Sequence, residues 1–290
     1  MTIAKRELGR TGIKVFPVGL GAMPLSVEGK PDEESSLQVL RAAFEAGMDF
    51  VDTANVYCPN DGDLGHNERL IRKALALYGK TGSVTVATKG GLNRRGPSWP
   101  NDASPAFLRD SCENSLRELD VPSIALYQLH APDPKVSFAD SIGALARLKQ
   151  EGKILHVGLS NVSLDQLNAA QRIVRIESVQ NRCNPFDGED YRDGLLAACV
   201  EQGVTYLPYS VVGGHRQHVS AVRHPLLEEL GKKYACGPYA VIVAWHLAMG
   251  PSVIPIPGAS KVASAQSSAA AAALSLSRED VARITALAQS

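Results

Sequence analysis

Eight short apolar runs recur along the chain, and a segment with helical spacing separates most of them. That alternation constrains the fold more than any other feature of the sequence. The runs are FPVGLG, MDFVDTA, SVTVATK, SIALYQLH, ILHVGLS, ESVQNR, VTYLPYS and SVIPIPG. Runs this short and apolar suit strands buried on both faces, as in parallel sheets covered by helices. Between them, Leu37, Leu40 and Phe44 mark one amphipathic helix that Gly47 stops. Leu70, Ile71, Ala74 and Leu75 mark another that Gly79 stops. Ser104 caps a third and Pro105 opens it, ahead of Leu108, Cys112, Leu116 and Leu119. Ile142, Leu145 and Leu148 continue the pattern before Gly152.

Strand and helix in alternation call for an α/β fold with a parallel sheet inside and helices outside, and eight repeats fit closure into a (β/α)8 TIM barrel. The 290 residues suit one such domain, spanning 1–290. An open doubly wound sheet is the alternative. Its phosphate fingerprint is missing, because the one candidate, Gly19 to Pro24, puts proline where the third glycine belongs. Ahead of the first run, Lys5 to Leu8 and Ile13 to Phe16 flank Gly9 to Gly12 and read as a β-hairpin that caps the barrel floor.

Charge narrows the function. Thirty Lys and Arg balance thirty Asp and Glu, and without a run of like charge the sequence offers no track for nucleic acid and no patch for an anionic membrane. Tyr234 to Ser260 carries no Asp, Glu, Lys or Arg, but Pro251, Pro255 and Pro257 interrupt it. A buried helix followed by a buried strand is therefore expected rather than a membrane span. Five cysteines without metal-ligand spacing, behind a start (MTIAKRELGR) that has no apolar leader, point to reduced thiols in the cytoplasm. His215 and His218 have helix-compatible ligand spacing but follow Gly213-Gly214, and no metal is expected. Cys58 is a thiol beside Tyr57 whose oxidation state the sequence leaves open.

Three consecutive runs lead to residues that together make a proton-transfer set. MDFVDTA leads through Asp52 to Tyr57, SVTVATK ends in Lys89, and SIALYQLH ends in His130. At the carboxyl rim of a barrel these four converge where such enzymes keep their chemistry. Reducing a carbonyl requires a hydride at carbon and a proton at oxygen. Tyr57, with an ordinary pKa near 10, can give that proton if a cation stands beside it. Lys89 supplies the cation, Asp52 holds Lys89 charged and in place, and His130 orients the substrate oxygen.

The chain resembles the aldo-keto reductases over essentially its whole length, from RELGRTGIKVFPVGLG through GMDFVDTANVY, VTVATKGG, LYQLHAPDP, GKILHVGLSN, SVQNRCNP and LPYS to VIPIPGAS. The resemblance implies the same roles for the four residues and a nicotinamide cofactor. Ser160, Asn161 and Gln180 offer a hydroxyl and two amides to the carboxamide of the ring, and Tyr209 offers a face to stack on it. Gly21, Ala22, Met23 and Ser210 are further candidate cofactor contacts. Gly258, Ser260 and Lys261 open an Ala-rich helix whose free amides suit a phosphate, and Ser260 with Lys261 favours the 2′-phosphate of NADP, NAD remaining possible. Gln266 and Ser268 stand where the family usually has a Glu and an Asn to hold the adenine, a departure that weakens the cofactor preference.

Trp99, in the loop after Lys89, is expected to wall a pocket for a small carbonyl substrate. The chain ends soon after a helix begun by the Ser277 to Asp280 capping pattern, so the long carboxyl-terminal loop of many relatives is not expected. Pyridoxal reduction and sugar or lactaldehyde oxidoreduction are both compatible with the set. A nicotinamide-binding regulatory role, like that of channel β-subunits, is the alternative from another class. The short stretch before the first barrel run weighs against it, and oligomeric state is not legible.

Overall fold

The computed structural model describes residues 3–214 and 222–287; His215 and His218 lie outside the described residues. A two-stranded antiparallel hairpin comes first, β1 (Arg6–Glu7) paired with β2 (Lys14–Val15). Gly9 and Gly12 between them take φ of 60° and 78°, a left-handed geometry that glycine adopts without a Cβ clash. Seven parallel strands follow in one sheet: β3 (Leu20–Gly21), β4 (Phe50–Asp52), β5 (Thr85–Gly90), β6 (Ile124–Leu129), β7 (Ile154–Ser160), β8 (Ile176–Gln180) and β9 (Thr205–Tyr206). Each pairs with its neighbours in chain order, as a barrel requires.

The eighth run occupies the eighth place without forming a full ladder. On one side, Tyr206 N–H donates to Ser252 O, and the N–H groups of Ile254 and Ile256 donate to Tyr206 O and Pro208 O. On the other, Gly19 N–H donates to Pro255 O at 2.9 Å and Gly21 N–H to Pro257 O at 3.0 Å. Residues of one strand face alternate neighbours, so Pro255 and Pro257 are the ones turned towards β3, and proline has no N–H to return. At Pro255 and Pro257 the closing segment can only accept, which is why seven regular strands and two isolated bridges, Tyr206 to Val253 and Gly21 to Gly258, stand where eight strands are expected.

Helices cover the outside. They are α1 (Glu33–Glu45), α2 (His66–Leu77), α3 (Pro105–Leu119), α4 (Phe138–Gln150), α5 (Leu164–Gln171), α6 (Leu195–Gln202), α7 (Pro225–Lys233), α8 (Pro238–Ala248), α9 (Val262–Ala270) and α10 (Arg278–Leu287). Their punctuation follows the sequence: Gly47 and Gly79 sit at φ 95° and 62° beyond α1 and α2, and Ser104 Oγ accepts from Phe107 N–H ahead of α3. Ser277 Oγ likewise accepts from Asp280 N–H at the start of α10. The charge-free stretch becomes α8, with Val241 to Trp245 buried, and the closing segment. No helix among the described residues is long and apolar enough to cross a membrane.

The interior is layered. Phe50, Ala87, Leu126, Leu207, Ile254 and Ile256 form a buried cluster with Leu8 and Val15 of the hairpin. Side chains alternate along a strand, so residues two further on stack above that cluster on the same inward face. They are Asp52, Lys89 and Gln128. The apolar layer, plugged from below by the hairpin, is the floor of a polar layer at the carboxyl rim.

Candidate active site

Lys89 is the centre of that polar layer. Its side chain is wholly buried, and Nζ donates to Asp52 Oδ2 at 2.6 Å, to Thr53 O at 2.7 Å and to Tyr57 Oη at 3.2 Å. An ammonium has three donors, and all three are used. The other carboxylate oxygen, Asp52 Oδ1, accepts from Gln180 Nε2 at 2.7 Å and Gln128 Nε2 at 3.2 Å. Ser178 Oγ in turn donates to Gln128 Oε1 at 3.3 Å. Gly158 makes room for this: a Cβ there would come within 2.2 Å of Ser178 Oγ and 2.8 Å of Gln128 Cγ.

Tyr57 lies on the loop after β4, five residues beyond Asp52, and meets the ring of His130 edge-on at 5.7 Å. Trp99 tilts against both, 5.6 Å from Tyr57 and 6.4 Å from His130. Backbone pairing sets these positions, since His130 N–H donates to Gly90 O as β6 leaves the sheet. Burial pushes the Tyr57 phenol well above its ordinary value, and the Asp52 charge adds to the push. The phenol therefore keeps its proton at neutral pH, although Lys89 was expected to ease its release. Burial also lowers the Lys89 ammonium, with Asp52 opposing the drop. His130 is held well below its usual range by burial and then by Lys89, and its Nδ1 is buried with no partner. The imidazole is neutral.

A second polar group adjoins the first. Asn161, at φ 58°, a left-handed geometry that Asn tolerates, donates from Nδ2 to His130 O at 2.9 Å and to Ser160 Oγ at 3.1 Å, and its Oδ1 accepts from Tyr209 Oη at 2.8 Å. Ser160, Asn161 and Tyr209 are thus brought together beside His130. Gln180 joins the Lys89 network instead, with its nitrogen committed to Asp52, so only its oxygen is left to offer a carboxamide. Ser210 sits next to Tyr209 at φ 51° and its carbonyl accepts from Gly213 N–H at 2.8 Å.

Gly21 and Gly258 face each other across the barrel seam. A Cβ on Gly21 would lie 2.8 Å from Ile256 O, and one on Gly258 would lie 2.9 Å from Pro24 Cγ. The Ile256 carbonyl beside Gly21 and the Pro24 ring beside Gly258 therefore account for both glycines. Ala22 is buried, Ala22 O accepts from Asn67 Nδ2 at 2.9 Å, and Met23 packs against the cluster of Ala54, Val56, Tyr57 and Leu92. Ser260, Lys261 and Gln266 are exposed, and α9 begins after Lys261 with no side chain capping its first amides. None of these three touches the Lys89 cluster.

Cys58 is buried, with its thiol pushed up by that burial and its Sγ on Val56 O at 3.3 Å, so it lacks the thiolate character of a reactive cysteine. Among the described residues there is no cluster of His, Cys, Asp or Glu fit to hold a metal ion. Gln128, Ser178 and the Thr53 carbonyl are the members of the network that the sequence reading missed. A signal existed for the first: Gln128 is a polar residue in an apolar run, two positions before His130 and hence on the same face.

The family model for the Aldo/keto reductase family matches residues 17–289. A probable aldo-keto reductase of Glycine max is 32% identical over 307 residues, covering 96% of this chain and 87% of that protein. An uncharacterized oxidoreductase of Schizosaccharomyces pombe is 34% identical over 275 residues, covering 92% and 85%. Among solved structures, a thermostable aldo-keto reductase in complex with the inhibitor epalrestat aligns at a TM-score of 0.83 and 30% identity, over 98% of this chain and 99% of that one. The glycerol dehydrogenase of Gluconobacter oxydans aligns at 0.82 and 27%, over 99% and 96%. With its parallel barrel and its Asp52, Tyr57, Lys89 and His130 gathered at one rim, the chain belongs to the aldo-keto reductase family of oxidoreductases.

Proposed function

We propose that this protein is an NADP(H)-dependent reductase of aldehydes or ketones in which Tyr57 is the general acid. The reading rests above all on Lys89, whose one ammonium bonds both Asp52 and Tyr57 Oη. Tyr57 holds the proton that the substrate oxygen needs as charge develops there. Lys89 stabilises the tyrosinate left behind, and Asp52 keeps Lys89 charged through the transfer. Neutral His130 directs a ring nitrogen at the same oxygen, while Trp99 and Met23 wall the apolar side of the cleft.

When bound, the reduced nicotinamide supplies the hydride. The residues fit such a group: Ser160, Asn161 and the Gln180 oxygen would take its carboxamide, and Tyr209 would stack on the ring. The uncapped amides at the start of α9, with Ser260 and Lys261, would take the 2′-phosphate. Five unpaired thiols accord with a reducing, cytoplasmic setting.

NADPH consumption on 4-nitrobenzaldehyde tests the proposal and separates a reductase from a nicotinamide-binding regulatory protein. Tyr57→Phe keeps the ring and removes the proton, so turnover should fall roughly 10²- to 10⁴-fold while NADPH binding persists. Full turnover in a folded Tyr57→Phe would sink the mechanism.

A further inference from the structure

Arg94 is a second buried cation at this rim, and unlike Lys89 it makes no ion pair with a carboxylate among the described residues. It is 9% exposed. Of its guanidinium nitrogens only Nη2 has a protein acceptor, Pro59 O at 3.3 Å, and Nε is buried with none. Asp61 gives its carboxylate to Gly96 N–H at 3.2 Å and feels Arg94 only at longer range, which helps lower its carboxyl; among the described residues no carboxylate comes within 4.0 Å of the guanidinium.

Other arginines of the chain show what a structural role looks like here. Arg6 is met by three carbonyls, those of Leu247, Gly250 and Val253, and Arg69 by Leu64 O, Asp63 and Glu118. Arg94 has one such acceptor, Pro59 O, and among the described residues no protein acceptor at Nη1. A cation taken out of water without an anion is costly, and the face of Trp99, 5.6 Å away, offsets only part of that.

The same Trp99 ring touches Tyr57 and His130 on its other contacts. Arg94 is therefore one aromatic ring removed from the proposed proton donor. Its loop is braced by the bridges Leu92 to Asn101 and Arg95 to Ser98, and its own N–H donates to Asn93 Oδ1 at 2.7 Å, so the arginine stands on a fixed support.

We infer that Arg94 is a specificity residue that receives the carboxylate of an anionic carbonyl substrate, an oxo acid whose aldehyde or ketone lies against Tyr57. A guanidinium fork matches a carboxylate in bidentate fashion, which an ammonium does not. The inference rests on the carbonyl-reductase reading of the Tyr57 site.

The test compares kcat/KM with NADPH on 4-carboxybenzaldehyde and on its uncharged methyl ester, in the wild type, Arg94→Gln and Arg94→Lys. The wild type should favour the acid. In Arg94→Gln the acid-to-ester ratio should fall roughly 10- to 100-fold, mainly through KM for the acid, and Arg94→Lys should recover part of it by keeping the charge without the fork. Equal losses on acid and ester would make Arg94 a brace of the Trp99 loop and overturn the inference, with the reductase reading intact. A wild type that reduces the ester but shows no preference for the acid would do the same. Turnover of neither compound would remove the reductase reading itself, and the inference with it. Arg94→Lys keeps a cation in the loop and covers the case of a glutamine variant that does not fold: a ratio equal to the wild type's in the folded lysine variant also counts against the fork.

Discussion

Lys89 has no spare donor, so the effect of removing it cannot be separated from the groups it joins. Lys89→Met strands Asp52 and leaves Tyr57 without its cation, so turnover should fall and the alkaline limb of the pH–rate profile, where the phenol loses its proton, should move to still higher pH. Adding Asp52→Asn should then cost little more, because residues that act as one unit lose activity once; losses that multiply in the double variant would contradict the coupling. Lys261 is a different case, exposed and remote from that network. If it grips the 2′-phosphate, Lys261→Ala should weaken NADPH by roughly 10- to 150-fold and leave NADH nearly as before. Fluorescence titration of both cofactors decides it, and equal weakening of the two would place Lys261 on shared parts of the cofactor. The four proton-transfer candidates were legible because each ends or follows a recognisable run. Gln128 was legible only as a polar residue in an apolar run, and the Thr53 carbonyl and the unpaired guanidinium of Arg94 were not, because each takes its meaning from a neighbouring strand or loop.

Between β5 and α2, the strand that presents Lys89 inward presents Thr88 outward, and its hydroxyl donates to Glu68 Oε1 at 2.6 Å. Glu68 is wholly buried, and burial raises its carboxyl to about 7 from an ordinary 4.5. The sign of the pH effect follows. Below pH 4.5 the group is protonated in both states and costs nothing. Between 4.5 and 7 the unfolded chain ionises while the folded one keeps its proton, so stability falls across that window by about 3 kcal/mol and then levels. Glu68→Gln preserves the acceptor and cannot ionise, so urea midpoints should change less between pH 4.5 and 7 than in the wild type. A parallel pH dependence in the two proteins would mean that other groups set it. The helix positions here were readable from apolar spacing and glycine stops. The acid on the buried face of α2 was not, since spacing alone marks Glu68 as an ordinary first-turn carboxylate.

Across the whole molecule, the hairpin and the closing segment depend on each other. Arg6 in β1 donates to Leu247 O and Gly250 O, at 2.9 and 2.7 Å, and also to Val253 O, tying the floor plug to the end of α8 and the start of the closing segment. Arg6→Ala should cost about 2–4 kcal/mol by leaving these carbonyls without a charged donor, read as a lowered melting temperature with NADPH affinity little changed. A loss confined to cofactor binding would argue against this structural role. Eight repeats were legible in the sequence, and the number of regular strands was not, because Pro255 and Pro257 look like an apolar run until their missing N–H groups are set against β3. The seam joins Gly21 to Gly258, so on the ribosome the first strand must wait for nearly the entire chain, on the order of ten to fifty seconds at common synthesis rates. Through that interval the donors of Gly19 and Gly21 form an open sheet edge, the kind that recruits other chains. A nascent chain released before Gly258 would keep that edge for good and would be a client for chaperones.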